Sequence, residues 1–157
     1  NAYMIAILDK DFDNELISPL LHAALIHDLG KTSDIEGESH GNRSASLYKS
    51  LIEKIFNTGQ ISSKILDAVK YHSVDDSRCP NETQQNPIWQ ILKDADSLDR
   101  SRLPGKGCNP SFLRNNIFRT SEGKELYSLA QTLPSMTETC AWDNPIEEFK
   151  SIIIDLI

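Results

Sequence analysis

LLHAALIHDLGKTSDIEGESHGNRSAS, residues 20–46, is the stretch on which the reading of the whole chain turns. Its apolar run of Leu20, Leu21, Ala23, Ala24, Leu25 and Ile26 has the density of a buried helix. The run gives way to an imidazole, a carboxylate and then Gly30, the residue type most often found just past a helix C-terminus. The signal for burial therefore ends where polar chemistry begins, at His27 and Asp28. Adjacent helical residues point roughly 100° apart, so this pair can grip one ion only at a helix end over which other segments close. Further ligands must come from elsewhere in the chain.

Outward from that stretch, the sequence reads as helices separated by polar turns, with no alternating run that demands a strand. Asn1 to Lys10 has the pattern of the tail of a helix that began earlier. Ser18-Pro19 offers an N-cap and a first-turn proline for a helix running to about Leu29. The same device recurs at Asn86-Pro87, Asn109-Pro110 and Asn144-Pro145. Asn42 to Asn57 carries Ala45, Leu47, Tyr48, Leu51, Ile52, Ile55 and Phe56 as an amphipathic face closing before Gly59. Ser62 or Ser63 is the expected cap of the next helix, which turns Ile65, Leu66, Ala68, Val69 and His72 toward one side. Ser73 to Gln85 reads as a polar loop with Pro80, Leu103 to Gly107 as a break, and Thr120 or Ser121 as the start of a helix ending before Pro134. Nothing long enough to divide the chain intervenes, so a single all-α domain of 157 residues is expected.

Composition bounds what this domain does. At 39% hydrophobic and 25% charged it is ordinary globular protein, and the apolar run Ile152 to Ile154 is far too short to cross a bilayer. No basic and apolar leader is evident. Cys79, Cys108 and Cys140 are odd in number and widely spaced, which disfavours a disulfide framework or a thiolate zinc site and suits a reducing cytoplasm. A net charge of −7 opposes non-specific attraction to nucleic acid, and no basic stripe with interleaved aromatics offsets it. An anionic substrate would need local attraction: a metal ion, with some of Lys31, Arg43, Lys93, Arg100 and Arg102.

The order of these residues resembles a known family. His27-Asp28 followed by Leu29, Gly30 and Lys31, then His40-Gly41, Ser44-Ala45, His72 and KDADSLDR ending at Arg100, is similar to the HD superfamily of metal-dependent phosphohydrolases. The likeness spans roughly Leu20 to Leu103, with a fainter echo of small bacterial members in NPSFLR near Asn109. An isolated His-Asp pair carries no weight; the ordered set carries much. The resemblance implies a compact bundle of six to eight helices, with a metal-site core over about 14–103 and C-terminal helices over about 109–157 packing on it.

It also implies a site. His27, Asp28 and Asp96 are the expected first ligands, the aspartate coming from a later helix and aligned through Ala95 before it and Leu98 after it, with Asp94 as the fallback. Asp99, one turn on, could orient a ligand or pair with Arg102. His40 and His72 match histidines that either hold a second metal or touch a substrate phosphate, and the two roles stay open. Lys31, Arg43 and Arg100 are candidates for phosphate contact, Lys31 also suiting a helix C-terminus simply as a cation. Asp34 sits where relatives often have an acid, its default role being local loop bonding. His22 precedes His27 by five residues, which turns it roughly 140° away, and it reads as structural. The family pattern opens with a histidine on an earlier helix, and none stands in Asn1 to Leu21; a start truncated upstream is the expectation.

The implied chemistry is hydrolysis of a phosphate ester, with nucleotides among the substrates to consider. One or two divalent ions per site, drawn from Mn, Fe, Ni, Co, Zn or Mg, would activate the water. Asp28 and Lys31 are the expected catalytic pair. The alternative is a helical regulatory or nucleotide-binding domain with a degenerate metal site. The expected partner is a small phosphorylated molecule, without a membrane and without nucleic acid.

Overall fold

The computed structural model describes residues 1–32, 39–99 and 117–127, the side chains of Tyr3 and Met4 excepted. Among these residues every regular element is helical. In chain order they are α1 (Ala2–Leu8), α2 (Ile17–Ile26), α3 (Ser39–Ile55), α4 (Gly59–Tyr71), the short α5 (Asn81–Gln84), α6 (Pro87–Asp99) and α7 (121–127), with single 3-10 turns at Asn14–Leu16 and Asp76–Arg78. No described helix is long and apolar enough to cross a membrane.

α4 is the central helix, packed against α2, α3 and α6, while α1 lies across α2 and α6. The sequence explains the choice. Ile65, Ala68 and Val69 fall on one side of α4 and are fully buried, facing Leu20, Ala23 and Ile26 of α2 and Ile88, Trp89, Ile91 and Leu92 of α6 in one continuous core. Each large aliphatic side chain taken from water contributes about 1.5–3 kcal/mol, so this layer supplies most of what holds the helices together. Trp89 is buried without a polar penalty because its Nε1–H donates to the Tyr71 carbonyl at 3.1 Å.

Several boundaries differ from the sequence expectation, for local reasons. α2 begins at Ile17 rather than at the Ser18 cap, because Asp13 caps the preceding 3-10 turn by accepting from the Glu15 N–H at 2.9 Å and the turn runs straight into the helix. It ends at Ile26, and residues 27–30 form a turn. Thr58, not Ser62 or Ser63, precedes α4; Ser62 lies inside it, its hydroxyl donating to the Phe56 carbonyl at 2.7 Å. The loop expected at 73–85 contains a 3-10 turn and α5. By contrast, Asn86-Pro87 starts α6 as expected, with Asn86 Oδ1 accepting from the Ile88 N–H at 3.1 Å. Thr120 caps α7 by accepting from the Gly123 N–H at 3.0 Å. The Asn109-Pro110 and Asn144-Pro145 starts, the Leu103–Gly107 break, Asp34, Cys108 and Cys140 lie outside the described residues.

The largest departure is the face of α3. Leu47, Leu51 and Ile55, read as core, are 67%, 48% and 46% exposed, and the buried positions are His40, Gly41, Ser44, Ala45 and Ile52. Small residues near the start of α3 let it approach its neighbours closely, and that contact, not the leucine stripe, sets its rotation.

Candidate metal centre

The C-terminal ends of α2 and α4 and the start of α3 meet at one corner. Gly41 permits this approach: a Cβ there would stand 2.7 Å from the Val69 carbonyl oxygen and 2.8 Å from that of Lys70, closer than packed atoms tolerate. With glycine in place, His40 of α3 comes against His72, the residue that closes α4, and their Nε2 atoms are 3.0 Å apart. His27 closes α2 in the same way, and its ring meets that of His72 edge-on at 5.0 Å between centroids.

Asp28 is the centre of this group. Its Oδ1 lies 3.1 Å from His40 Nε2 and 3.3 Å from His72 Nε2, and its Oδ2 lies 3.7 Å from His27 Nε2 and 3.8 Å from Lys31 Nζ. The His72 contact foremost, with the neighbouring His27 and Lys31, holds the Asp28 carboxyl well below the usual carboxylate range, against an opposing push from burial. His40 and His72 are buried, while the Asp28 side chain is 40% exposed. The group is thus walled by imidazoles and open on the carboxylate side.

Two rings are fixed in their donor assignment by the backbone. His27 Nδ1 lies 2.7 Å from the Ala24 carbonyl and His72 Nδ1 lies 2.7 Å from that of Val69. A carbonyl only accepts, so each Nδ1 carries a proton, and each ring turns its Nε2 toward Asp28. A ring held in this way can offer its Nε2 to a cation standing beside the carboxylate. One ligand atom each from His27, Asp28 and His72 lie within 4.8 Å of one another. Two imidazole nitrogens and a carboxylate oxygen are the donor set that first-row divalent ions accept, with coordination positions left for water or substrate. The residues present fit a divalent ion.

The structure thus brings together His27, Asp28, His40, His72 and Lys31. Arg43 stands close by, its Nε donating to the Gly30 carbonyl at 2.9 Å and its Nη1 reaching Ser39 Oγ at 3.4 Å. Asp96 lies half-buried on α6, has interactions of its own and is not among the three clustered ligands. Arg100 and Arg102 fall outside the described residues. The clustered candidate donors are therefore His27, Asp28 and His72, where the sequence reading names His27, Asp28 and Asp96 first; a histidine ending a helix signals a cap as readily as a ligand, and the meeting of α2 with α4 is what brings His72 into the cluster. His22 points elsewhere, its ring edge-on to Phe56 at 5.0 Å and its Nδ1 2.8 Å from the Ser18 carbonyl.

Two sequence candidates are withdrawn. Asp94, the fallback ligand, is fully buried and both of its oxygens are taken: by the backbone N–H of Arg119 at 2.9 and 3.0 Å, that of Thr120 at 2.8 Å, Thr120 Oγ1 at 2.7 Å and Arg119 Nη1 at 3.2 Å. Lys93, proposed as a cation for substrate, is buried and donates to the Val74 carbonyl and to Asp76. Arg119 also pairs with Asp76 at 2.7 Å, and both cations lie over the Trp89 ring. Alternation of charges along α6 gave no hint of this second polar cluster, because Asp76 and Arg119 are distant in sequence.

A helical corner of this composition, with a His-Asp pair at a helix end and a further histidine across from it, carries the donor types that a divalent ion accepts. The HD-domain family model matches residues 2–101, more than half of the chain, and the chain belongs to the HD-domain family, part of the superfamily of metal-dependent phosphohydrolases. Comparison with curated proteins and with solved structures gives no match.

Proposed function

We propose that this domain is a metal-dependent phosphohydrolase cleaving a phosphate ester, with nucleotides the first substrates to test. The observation that carries the reading is the convergence of His27, Asp28 and His72 donor atoms within 4.8 Å at the open end of a corner. A divalent ion held there would supply a water acidic enough to ionise near neutral pH. His27, Asp28 and His72 would hold it, with Asp96 the candidate to complete the ligand set from α6 and His40 either a ligand or a phosphate contact. Asp28, at the exposed side, would orient the attacking water. Lys31, beside Asp28, would offset charge developing on the phosphoryl oxygens, and Arg100 is a candidate for the same task.

The test combines elemental analysis of the purified protein with a screen of phosphomonoesters and nucleotides in added Mn, Fe, Ni, Co, Zn and Mg. Turnover that requires one of these ions and disappears in Asp28→Ala, with the helical circular dichroism retained, is the expected result. Turnover unchanged in Asp28→Ala would overturn the reading. Thermal stabilisation by a nucleotide with no product formed would assign the corner to a regulatory domain instead.

A further inference from the structure

The residue that follows the His-Asp pair after one leucine, Gly30, is gripped from both of its peptide groups by two neighbours on α3. Its N–H donates to Ser44 Oγ at 2.8 Å, and its carbonyl accepts from Arg43 Nε at 2.9 Å. Ser44 is fully buried. The approach is so close that a Cβ on Gly30 would lie 2.5 Å from the Ser44 backbone nitrogen and 3.0 Å from the Arg43 carbonyl carbon, contacts that moving a side chain cannot relieve. The grip falls between Asp28 and Lys31, in a turn closed by the Lys31 N–H donating to the Asp28 carbonyl at 2.9 Å.

We propose that Ser44 and Arg43 are positioning residues for the metal corner: by clasping Gly30 they dock the end of α2 on α3 and so set Asp28 against His40. The inference rests on the metal reading of the corner and adds the part that fixes its geometry. Asp28 leaves α2 in a turn that no helix hydrogen-bond ladder restrains, and His40 sits one helical turn before Ser44 on α3. The distance between the two is therefore set by whatever ties that turn to α3. The Gly30 clasp is such a tie, and it is made of two directional hydrogen bonds rather than apolar contact, which suits holding a register to a fraction of an ångström.

This role differs from a substrate contact by Arg43 in what it moves. A guanidinium that met only the phosphate would alter KM and leave the affinity for the ion untouched. The clasp acts on the ion first.

The test uses the full chain and Mn2+ as the probe, with isothermal titration calorimetry on the unsubstituted protein, Ser44→Ala, Arg43→Gln and Ser62→Ala. Ser62→Ala is the control: it deletes another buried serine hydroxyl with a carbonyl bond of 2.7 Å, to Phe56, but away from the corner. Loss of a group that orients a metal ligand lowers affinity about 10–100-fold. That loss is expected in Ser44→Ala and Arg43→Gln, together with a change in the visible spectrum of bound Co2+, while Ser62→Ala keeps the wild-type affinity and spectrum. Equal Mn2+ affinity in all four proteins would overturn the positioning role and leave the metal reading standing. A Ser62→Ala loss as large as that of Ser44→Ala would also overturn it, as a general effect of stability. Failure of the unsubstituted chain to bind Mn2+ or Co2+ at all would overturn the metal reading and this role with it. Gly30→Ala is the harsher variant, and where it fails to fold the two milder ones carry the test.

Discussion

The molecule contains two polar clusters built from the same kinds of side chain on opposite terms. At the corner of α2, α3 and α4, one carboxylate faces three imidazoles, and the two rings whose other nitrogen is tied to a carbonyl present Nε2 toward it. Where α6 meets residues 117–120, the Asp94 and Asp76 carboxylates face Lys93, Arg119, Thr120 and backbone N–H groups, so that acceptors meet donors. Both clusters are partly or wholly buried. The second is complete by itself; the first has the donor set that a cation would complete. A buried carboxylate with both oxygens occupied holds a fold together, and a half-exposed one set among imidazoles is a candidate ligand.

The sharpest way to break that distinction is Asp94→Ala. Removing one partner of a buried charged network takes the acceptor from the Arg119 and Thr120 backbone N–H groups and leaves the Arg119 guanidinium with Asp76 as its carboxylate partner, which costs about 3–5 kcal/mol. A fall in melting temperature on the order of 10 °C or more is expected, read by thermal or urea denaturation, and it should be the same with or without added metal. Residues 117–120 lie beyond the family match at 2–101, so a small effect would mean that this clasp is an accessory to the domain rather than a part of its core.

Asp28→Ala should show the inverse signature. Its carboxylate is 40% exposed, so its contacts with histidine and lysine are screened by water and its removal in EDTA should cost less than the Asp94 substitution. What it should abolish is stabilisation by the ion. Saturating the unsubstituted chain at a hundred times the dissociation constant is worth about 2.7 kcal/mol, and differential scanning fluorimetry across a Mn2+ titration should show that gain vanish in the variant. If Asp94→Ala rather than Asp28→Ala erased the metal response, the assignment of the two clusters would be reversed.

Acid sharpens the comparison further. Burial works to raise the Asp76 carboxyl, yet hydrogen bonds from Arg119 and Lys93 and their positive charges outweigh it and hold it below the ordinary carboxylate range. A folded-state value below the unfolded one means that the clasp contributes fully above the unfolded value near pH 4 and loses its contribution as pH falls through the lower folded value. Stability followed by urea denaturation from pH 6 downward should therefore fall less steeply in the acid range for Asp76→Asn than for the unsubstituted chain. Equal slopes would remove Asp76 from the clasp's energetics.

How much of this could be read beforehand depends on range along the chain. His27-Asp28 at the end of an apolar run, Asn86-Pro87 opening α6 and Thr120 opening α7 are local signals, each written in consecutive residues, and each stands in the structure. The rotation of α3 is not legible locally, because a leucine stripe is a stronger local pattern than Gly41, Ser44 and Ala45, whose importance appears only where α4 and the turn after α2 press against them. Asp94 and Asp96 could not be told apart by spacing alone; the burial of Asp94 against Arg119 and Thr120 separates them. Long-range pairing decides which polar residue is ligand and which is strut.

The smallest expected effect is that of His22→Ala, and it tests whether a histidine near the site belongs to it. The ring packs edge-on against Phe56 and its Nδ1 lies 2.8 Å from the Ser18 carbonyl of the preceding helical turn. The middle of α2 thereby meets the residue just past α3, while the turn after α2 meets Ser44 near the start of α3, so the two helices are tied at two separate places. An aromatic edge contact of this kind is worth about 0.5–1.5 kcal/mol, so a modest loss in urea denaturation is expected. Because the opposite end of the pair is held independently by Gly30, Ser44 and Arg43, Mn2+ affinity and any turnover should stay at the unsubstituted level. A His22→Ala protein with weakened metal binding would mean that the spacing between α2 and α3 is transmitted along their whole length, and that the corner is not held from its own end.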